Sequence, residues 1–357
     1  AEKNNFLMNL FLQNEEEDKR LPELYKLNPK AFEKEISHSK KALLRELDEF
    51  IISEKPSESF IHIALSNINY NYYSRKELYL SSKKVASSHK QILYPEHFFT
   101  YRDSIELNDN TLKNYYTYYQ FINRYLDNLA DDGHKKQKTF FNKTSYEHQT
   151  QKLRLIDSLI TNKQLHDNLL HNTVKRYLVH ADDSQKEHDL VALFKKLDHN
   201  EAHQKEVERY AHNTAKINAG ELIPNLALIT AKNEITSLQK INASKTVFFF
   251  WNSKSVKHYK EIHVRIADLK TKYPEYAFVG INTGTDFSAW NQTVISSGYN
   301  QANEYQLKNS TAAKNALFIN SANKAMIVDK GGIILEGNSN LFNQNFESLL
   351  LGYLNKK

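Results

Sequence analysis

Cysteine is absent from the 357-residue chain. A chain without cysteine forms no disulfide, presents no thiolate nucleophile, and cannot hold zinc or an iron–sulfur cluster through sulfur. Thiol chemistry is therefore excluded at every position of this sequence. Without cysteines, the sequence does not indicate whether the protein works in an oxidising or a reducing compartment.

Long hydrophobic runs are also missing. No stretch of eighteen consecutive apolar residues occurs, so the sequence predicts no transmembrane helix. The first residues, AEKNNFLMNLFLQNEEEDKR, lack the basic segment and apolar core of a signal peptide. We therefore expect membrane anchoring only through a lipid attached upstream of Ala1.

A strong charge of one sign is lacking as well. The formal net charge is +6, and the small excess of basic residues lies after Gly220. Nucleic-acid binding usually requires a denser basic stripe interleaved with aromatic residues. We expect no nucleic-acid partner.

Motifs for cofactors and metals are scarce. Neither GxxxxGK[ST] nor GxGxxG occurs, and Gly331-Gly332 lies between two predicted strands, which is typical of a hairpin turn. His199 and His203 have i, i+4 spacing, but two ligands do not make a metal site. We expect no cofactor and no bound metal.

Glycine is nearly missing from the first part of the chain, since eight of the nine glycines lie at or after Gly220. Tight turns between strands use glycine and helical hairpins do not, so the architecture is predicted to change there. In KKALLRELDEFII (40–52), apolar residues recur at spacings of three and four, and Pro56 stops the pattern. Residues 1–219 are therefore predicted to form an all-helical domain, with further helices over 59–80, 111–133, 150–161, 163–180, 185–198 and 201–218.

Tyrosine crowds one of these helices, at positions 115, 116, 118, 119 and 125. The rings could form a sugar-stacking or peptide-binding surface. We favour the alternative, in which they fill an irregular helical core with their hydroxyls at its wet edge. A chaperone-like or ligand-binding role of the helical domain stays open.

The pattern after Gly220 alternates between buried strands and amphipathic helices. TVFFFW (246–251) predicts a buried strand, 255–273 a helix ended by Pro274, and 276–283 a second buried strand. A helix around 289–297, strands at 325–329 and 333–337, and a final helix over 345–355 follow. A βαβ unit, a hairpin and a helix predict an α/β sandwich over residues 220–357.

Four strings in this order resemble the TlpA/ResA-like thioredoxin family of bacterial envelope proteins. GELIPNLAL (220–228) is similar to that family's opening Gly-x-x-Ala-Pro-x-Phe-x-Leu, and TVFFFWNSKSVKHYKE (246–261) to its strand, Trp-Cys-x-x-Cys turn and helix. YPEYAFVGINTGTD (273–286) and AMIVDKGGIILEG (325–337) resemble its next strand with an acidic turn and its closing hairpin. The resemblance implies a thioredoxin-like fold for residues 220–357 and a periplasmic or cell-envelope location.

The chain departs from this family at its catalytic positions. The resemblance places Ser255 at the nucleophilic cysteine, His258 at the resolving cysteine, and Asn323 at or near the cis-proline. Dithiol exchange requires an attacking thiolate and a second thiol. A non-proline cis peptide costs about 3–4 kcal/mol, so we expect a trans bond at Asn323. This degenerate site predicts a protein that is not a thiol–disulfide enzyme.

Ser255 and His258 lie three residues apart at a helix start, which is within side-chain reach. A hydrolase would also require an orienting carboxylate and an oxyanion hole, and Asp286 is the one loop candidate for the carboxylate. Non-redox chemistry at this pair is the enzyme alternative. We favour Ser255 as a helix N-cap whose hydroxyl oxygen accepts a backbone hydrogen bond.

A thioredoxin-like site without thiols retains its groove. We predict that its rim is formed by Trp251, Asn252, Lys254, Trp290 and the 320–323 loop, beginning at Asn320, where an exposed aromatic beside polar groups suits protein recognition. Core packing is the alternative for both tryptophans. The favoured function is a redox-inactive accessory or scaffolding subunit that binds a protein partner in the bacterial envelope.

Overall fold

The computed structural model describes residues 2–86, 92–132, 142–181, 183–242, 244–343 and 345–355. A helical N-terminal region precedes a C-terminal α/β sandwich, which confirms the predicted fold class. Compact units are formed by residues 1–177 with 188–204, and by 178–187 with 205–357. The second unit therefore includes residues before Gly220, and the predicted division into domains 1–219 and 220–357 stays a prediction. None of the described helices is long and apolar enough to cross a membrane.

The described part of the N-terminal region consists of helices. Their bounds are α1 (Glu2–Asp18), α2 (Leu21–Leu24), α3 (Pro29–Glu54), α4 (Glu58–Ala86), a 3₁₀ helix (Glu96–Ser104), α5 (Tyr116–Asp132), α6 (Tyr146–Leu159), α7 (Lys163–His180), α8 (Ser184–Leu197) and α9 (Glu201–Ala215).

Helix α3 shows how local sequence sets these bounds. The side chain of Asn28 accepts a hydrogen bond from the Ala31 amide at 2.9 Å, and Pro29 occupies the first helical position, where a missing N–H costs nothing. At the other end Lys55 has a φ of 45°, the left-handed conformation that closes many helices. The helix therefore ends before Pro56, as predicted from the sequence.

Aromatic side chains fill much of the helical core. Tyr118 is buried, and its hydroxyl donates to the Glu106 carbonyl at 2.8 Å, which agrees with the favoured interpretation of the tyrosines. Tyr116, by contrast, is 70% exposed. The tyrosine-rich helix is therefore amphipathic.

Seven strands and four α-helices of the described residues build the α/β sandwich. Their bounds are β1 (Ala227–Thr230), β2 (Ile235–Ser237), β3 (Thr246–Trp251), α10 (Val256–Lys272), β4 (Ala277–Asn282), α11 (Phe287–Ser296), a 3₁₀ helix (Gln301–Asn303), β5 (Glu304–Leu307), α12 (Ser310–Ala316), β6 (Lys324–Val328), β7 (Ile334–Asn340) and α13 (Phe346–Asn355).

The strands form one mixed sheet in the order β2-β1-β5-β4-β3-β6-β7. Strands β3 and β4 are parallel and joined through α10, whereas β6 pairs antiparallel with both β3 and β7. All six residues of β3 are buried because β3 is a central strand with both faces covered, which explains its continuous apolar sequence.

Alternate residues of β3 enter two separate cores. Phe249 and Trp251 pack with Ile262 and Ile266 of α10 on one face of the sheet. Phe248 and Phe250 pack on the other face, where Ile217 is also buried. The sheet is therefore covered on both sides, and the carboxyl end of β3 is held in place at the start of α10.

Candidate functional site

The connection from β3 to α10 is a tight polar turn. The side chain of Asn252 accepts a hydrogen bond from the Lys254 amide at 3.0 Å, and its carbonyl accepts one from the Ser255 amide at 2.9 Å. Helix α10 begins at Val256 with Ser255 at the N-cap position. The Ser255 side chain makes no capping hydrogen bond, however, so that part of the prediction is wrong. Its φ of −101° and ψ of 72° differ from the extended conformation typical of capping residues.

His258 and Asn323 are brought together across the site. The Nε2 atom of His258 lies 3.0 Å from Oδ1 of Asn323, which makes His258 the donor. This hydrogen bond joins the first turn of α10 to the loop before β6. Because Nε2 donates to Asn323, this nitrogen does not act as a base toward Ser255. Every peptide bond among the described residues is trans, Asn323 included.

Trp251 and Trp290 lie in the core, and their predicted place on an exposed rim is wrong. Their exposed fractions are 1% and 0%. Trp251 ends a strand with two covered faces, and Trp290 packs on Phe287 within α11 at 5.6 Å between ring centroids. The alternative of core packing therefore holds for both residues.

A buried carboxylate lies directly behind Trp251. Glu304, at the start of β5, accepts a hydrogen bond from the Trp251 indole at 2.9 Å, and its other oxygen lies 3.3 Å from His263 Nε2. The Nδ1 atom of His263 is 2.7 Å from the Tyr259 carbonyl, so Nδ1 carries a hydrogen. Tyr299 stacks on the imidazole at 3.7 Å. No sequence pattern points to this cluster, because its members come from separate elements.

Asp286 is also engaged elsewhere. Its carboxylate accepts a hydrogen bond from the Ala289 amide at 2.9 Å and caps α11. This contact engages the carboxylate at the start of α11 and does not orient His258.

Exposed residues surround the turn. Lys254, Ser255, Val256 and Lys257 are exposed, and we call these four residues the α10 N-terminal surface. Asn252 is half-buried beside it, whereas Asn320 is exposed but lines a cavity together with Lys324. Among the predicted rim residues, Lys254 is thus the most accessible at the turn.

The histidine pair at 199 and 203 does not form a metal site. His203 stacks on His171 at 4.3 Å and lies 3.0 Å from Asp198 Oδ2, while His199 is exposed. No group of three or more His, Asp or Glu side chains in the described part of the chain is arranged to hold a metal ion.

Solved structures similar to part of the chain include thioredoxin-like proteins and thiol-disulfide oxidoreductases. A thioredoxin-like protein from Bacteroides caccae is 12% identical over 58% of this chain and 83% of that chain, with a TM-score of 0.36. The thioredoxin domain of a thiol-disulfide oxidoreductase from Bacteroides vulgatus is 17% identical over 38% of this chain and 98% of that chain, with a TM-score of 0.31. No family model and no curated protein matches the chain. The fold assignment accordingly rests on strand order and register.

Proposed function

We propose that this chain is a divergent member of the TlpA/ResA-like thioredoxin family which has lost its redox chemistry and acts as a protein-binding or scaffolding subunit in the bacterial envelope. The observation that carries the proposal is the replacement of the family's catalytic groups by Ser255, His258 and Asn323. A serine hydroxyl cannot form a mixed disulfide, and an imidazole cannot release one. The proposed site keeps the turn and the helix start of the family's active site but cannot carry out dithiol exchange.

The α10 N-terminal surface supports a binding role through its charge. Helix α10 has no acidic residue in its first turn, so the positive end of its dipole is not offset there. Lys254 and Lys257 add two exposed cations at the same place. We infer that the partner presents acidic side chains to this surface, because complementary charge steers and orients association.

An apolar contact lies between the two cations. Val256 is 53% exposed, so a partner that covers it removes apolar surface from water. The hydrogen bond between His258 and Asn323 joins the start of α10 to the loop before β6. A surface held rigid before binding loses less conformational entropy on association.

The proposal is tested with the full chain immobilised and exposed to an envelope extract at low and at physiological salt. Lys254→Glu/Lys257→Glu should lose the retained partner, because the variant reverses both charges on the α10 N-terminal surface. Salt should weaken retention by the unaltered chain.

Lys232→Glu/Lys308→Glu is the matched control, since both lysines are exposed residues of the second unit and the net charge changes equally. The control should retain the same protein as the unaltered chain. Equal loss in both variants, or retention by the Lys254/Lys257 variant, contradicts the proposed surface.

A further inference from the structure

Lys324 is a buried lysine at the start of β6. Only 1% of it is exposed, and it follows Asn323 directly in sequence. Because successive side chains of a strand point to opposite faces, Lys324 lies on the face of Met326 and Val328. It is therefore outside the site formed by His258 and Asn323.

Two acceptors hold its amino group. The Nζ atom donates to the Gly337 carbonyl at 2.7 Å and to Oδ1 of Asn338 at 2.8 Å. No carboxylate of the described residues lies within ion-pair distance of Nζ. Two donors are thus satisfied, and the remaining position on nitrogen carries either a third proton without a counter-charge or a lone pair.

Lys324 is one of the residues that line a cavity of about 660 Å³ along strand β7, together with Gly337 and Asn338, whose oxygens accept from its amino group. This volume is in the range of small-molecule sites. The other titratable side chains among the described lining residues are Glu336 and Tyr353, and the neutral polar ones include Asn218, Asn320 and Asn338. A small molecule in this cavity would lie beside the acceptors that bind the Lys324 amino group.

Burial lowers the pKa of Lys324 to about 7, because a desolvated ammonium is unfavourable, although the nearby Glu336 carboxylate opposes this shift. An exposed lysine, with a pKa of about 10.4, is almost entirely protonated at neutral pH.

We propose that Lys324 is a nucleophilic amine that captures small aldehydes in this cavity as an imine. The inference is independent of the proposed binding function, since it concerns another face of the sheet.

The reaction balances without an oxidant or reductant. The Nζ lone pair forms a bond to the carbonyl carbon while the C=O π bond breaks, which gives a carbinolamine. A proton passes from nitrogen to oxygen through solvent, and the intermediate loses water, which leaves an imine between Nζ and the former carbonyl carbon.

The test is limited reductive methylation of the intact protein with formaldehyde and cyanoborohydride, followed by peptide mass mapping. At pH 6.5, Lys324 should be modified before Lys257, whose side chain is 90% exposed and serves as the internal reference. From pH 6.5 to 8.0 the rate at Lys324 should rise about fourfold, because the neutral fraction of an amine with a pKa of about 7 rises by that factor.

Two further measurements distinguish reaction favoured by the lowered pKa of Lys324 from reaction that reflects only accessibility of its side chain. In denaturant, Lys324 should lose its preference and follow the pH dependence of Lys257. Glu336→Gln removes the carboxylate that favours the charged amine, so Lys324 should be modified faster at pH 6.5. Slower modification of Lys324 than of Lys257 in the folded protein at pH 6.5, or a rise in the rate at Lys324 with pH that is as steep in the folded protein as in denaturant, overturns the proposal.

Discussion

At the scale of single residues, Lys324 shows how a buried charge couples stability to pH. Its pKa is about 7 in the folded chain and about 10.4 when the chain is unfolded. Between these values the unfolded state binds more protons, so the contribution of this residue to the free energy of unfolding rises with pH by at most about 1.4 kcal/mol per pH unit.

Lys324→Met tests this coupling, because Met keeps a similar stem and cannot be protonated. We expect the unaltered chain to gain stability relative to Lys324→Met as pH rises from 7 towards 10. Urea denaturation at several pH values measures the difference. A difference that is constant over this range would show that the ammonium is not desolvated.

The candidate site shows which residues sequence patterns can find. Ser255, His258 and Asn323 could be placed because four strings of the sequence resemble those of a known family in the same order. The burial of Trp251 at the end of β3 and of Trp290 within α11 could not be predicted, because a tryptophan can be covered or exposed depending on what packs over it. No sequence pattern marks Glu304 or Lys324 as buried, since a charged residue beside a short strand is usually at the surface.

At the scale of elements, the backbone of β7 passes unusually close to residues near the end of α9. A Cβ built on Gly337 would lie 1.7 Å from the Ile217 carbonyl oxygen, which is backbone and cannot rotate away. Gly337 therefore allows a close approach that any other residue would block.

Gly337→Ala should destabilise the sandwich by about 3 kcal/mol or more, because strand and segment must separate. Gly352→Ala is the matched control, as nothing lies within 4 Å of its added Cβ in helix α13. It should stabilise by up to about 1 kcal/mol through helix propensity. Thermal unfolding of both variants measures the contrast, and equal effects would contradict the close approach.

Elements with strong periodicity were predicted well from the sequence. Strand β3 has the predicted bounds, and α7 over 163–180 does as well. Strands β1, β2 and β5 were missed because each has at most four residues, and helix α12 because its seven residues make only about two turns. These short elements matter, since β5 supplies Glu304 to the cluster behind Trp251.

At the scale of the whole molecule, the glycine distribution predicted a change of architecture but not where the second unit begins. Ile217 is buried in the core beneath β3, and Tyr210 packs against the same core. Both residues precede Gly220 and contribute to the second unit. A helical pattern shows where a helix lies and not which core it joins.

Fragments 205–357 and 220–357 test this contribution. The longer fragment should unfold at higher urea, because it retains Ile217 and Tyr210 and buries more apolar surface. The comparison is made by circular dichroism at equal concentration. Equal midpoints would mean that residues 205–219 add nothing to the sandwich.

We propose that the fold positions residues 255 and 258 for dithiol exchange although neither has a thiol. The direct measurement is insulin reduction by Ser255→Cys/His258→Cys, compared with Glu261→Cys/Val264→Cys, which has the same spacing on exposed positions inside α10. The first variant should gain activity, because the start of α10 lowers the pKa of the thiol introduced at position 255. Equal activity in both variants, with an ordinary pKa for that thiol, would contradict the account.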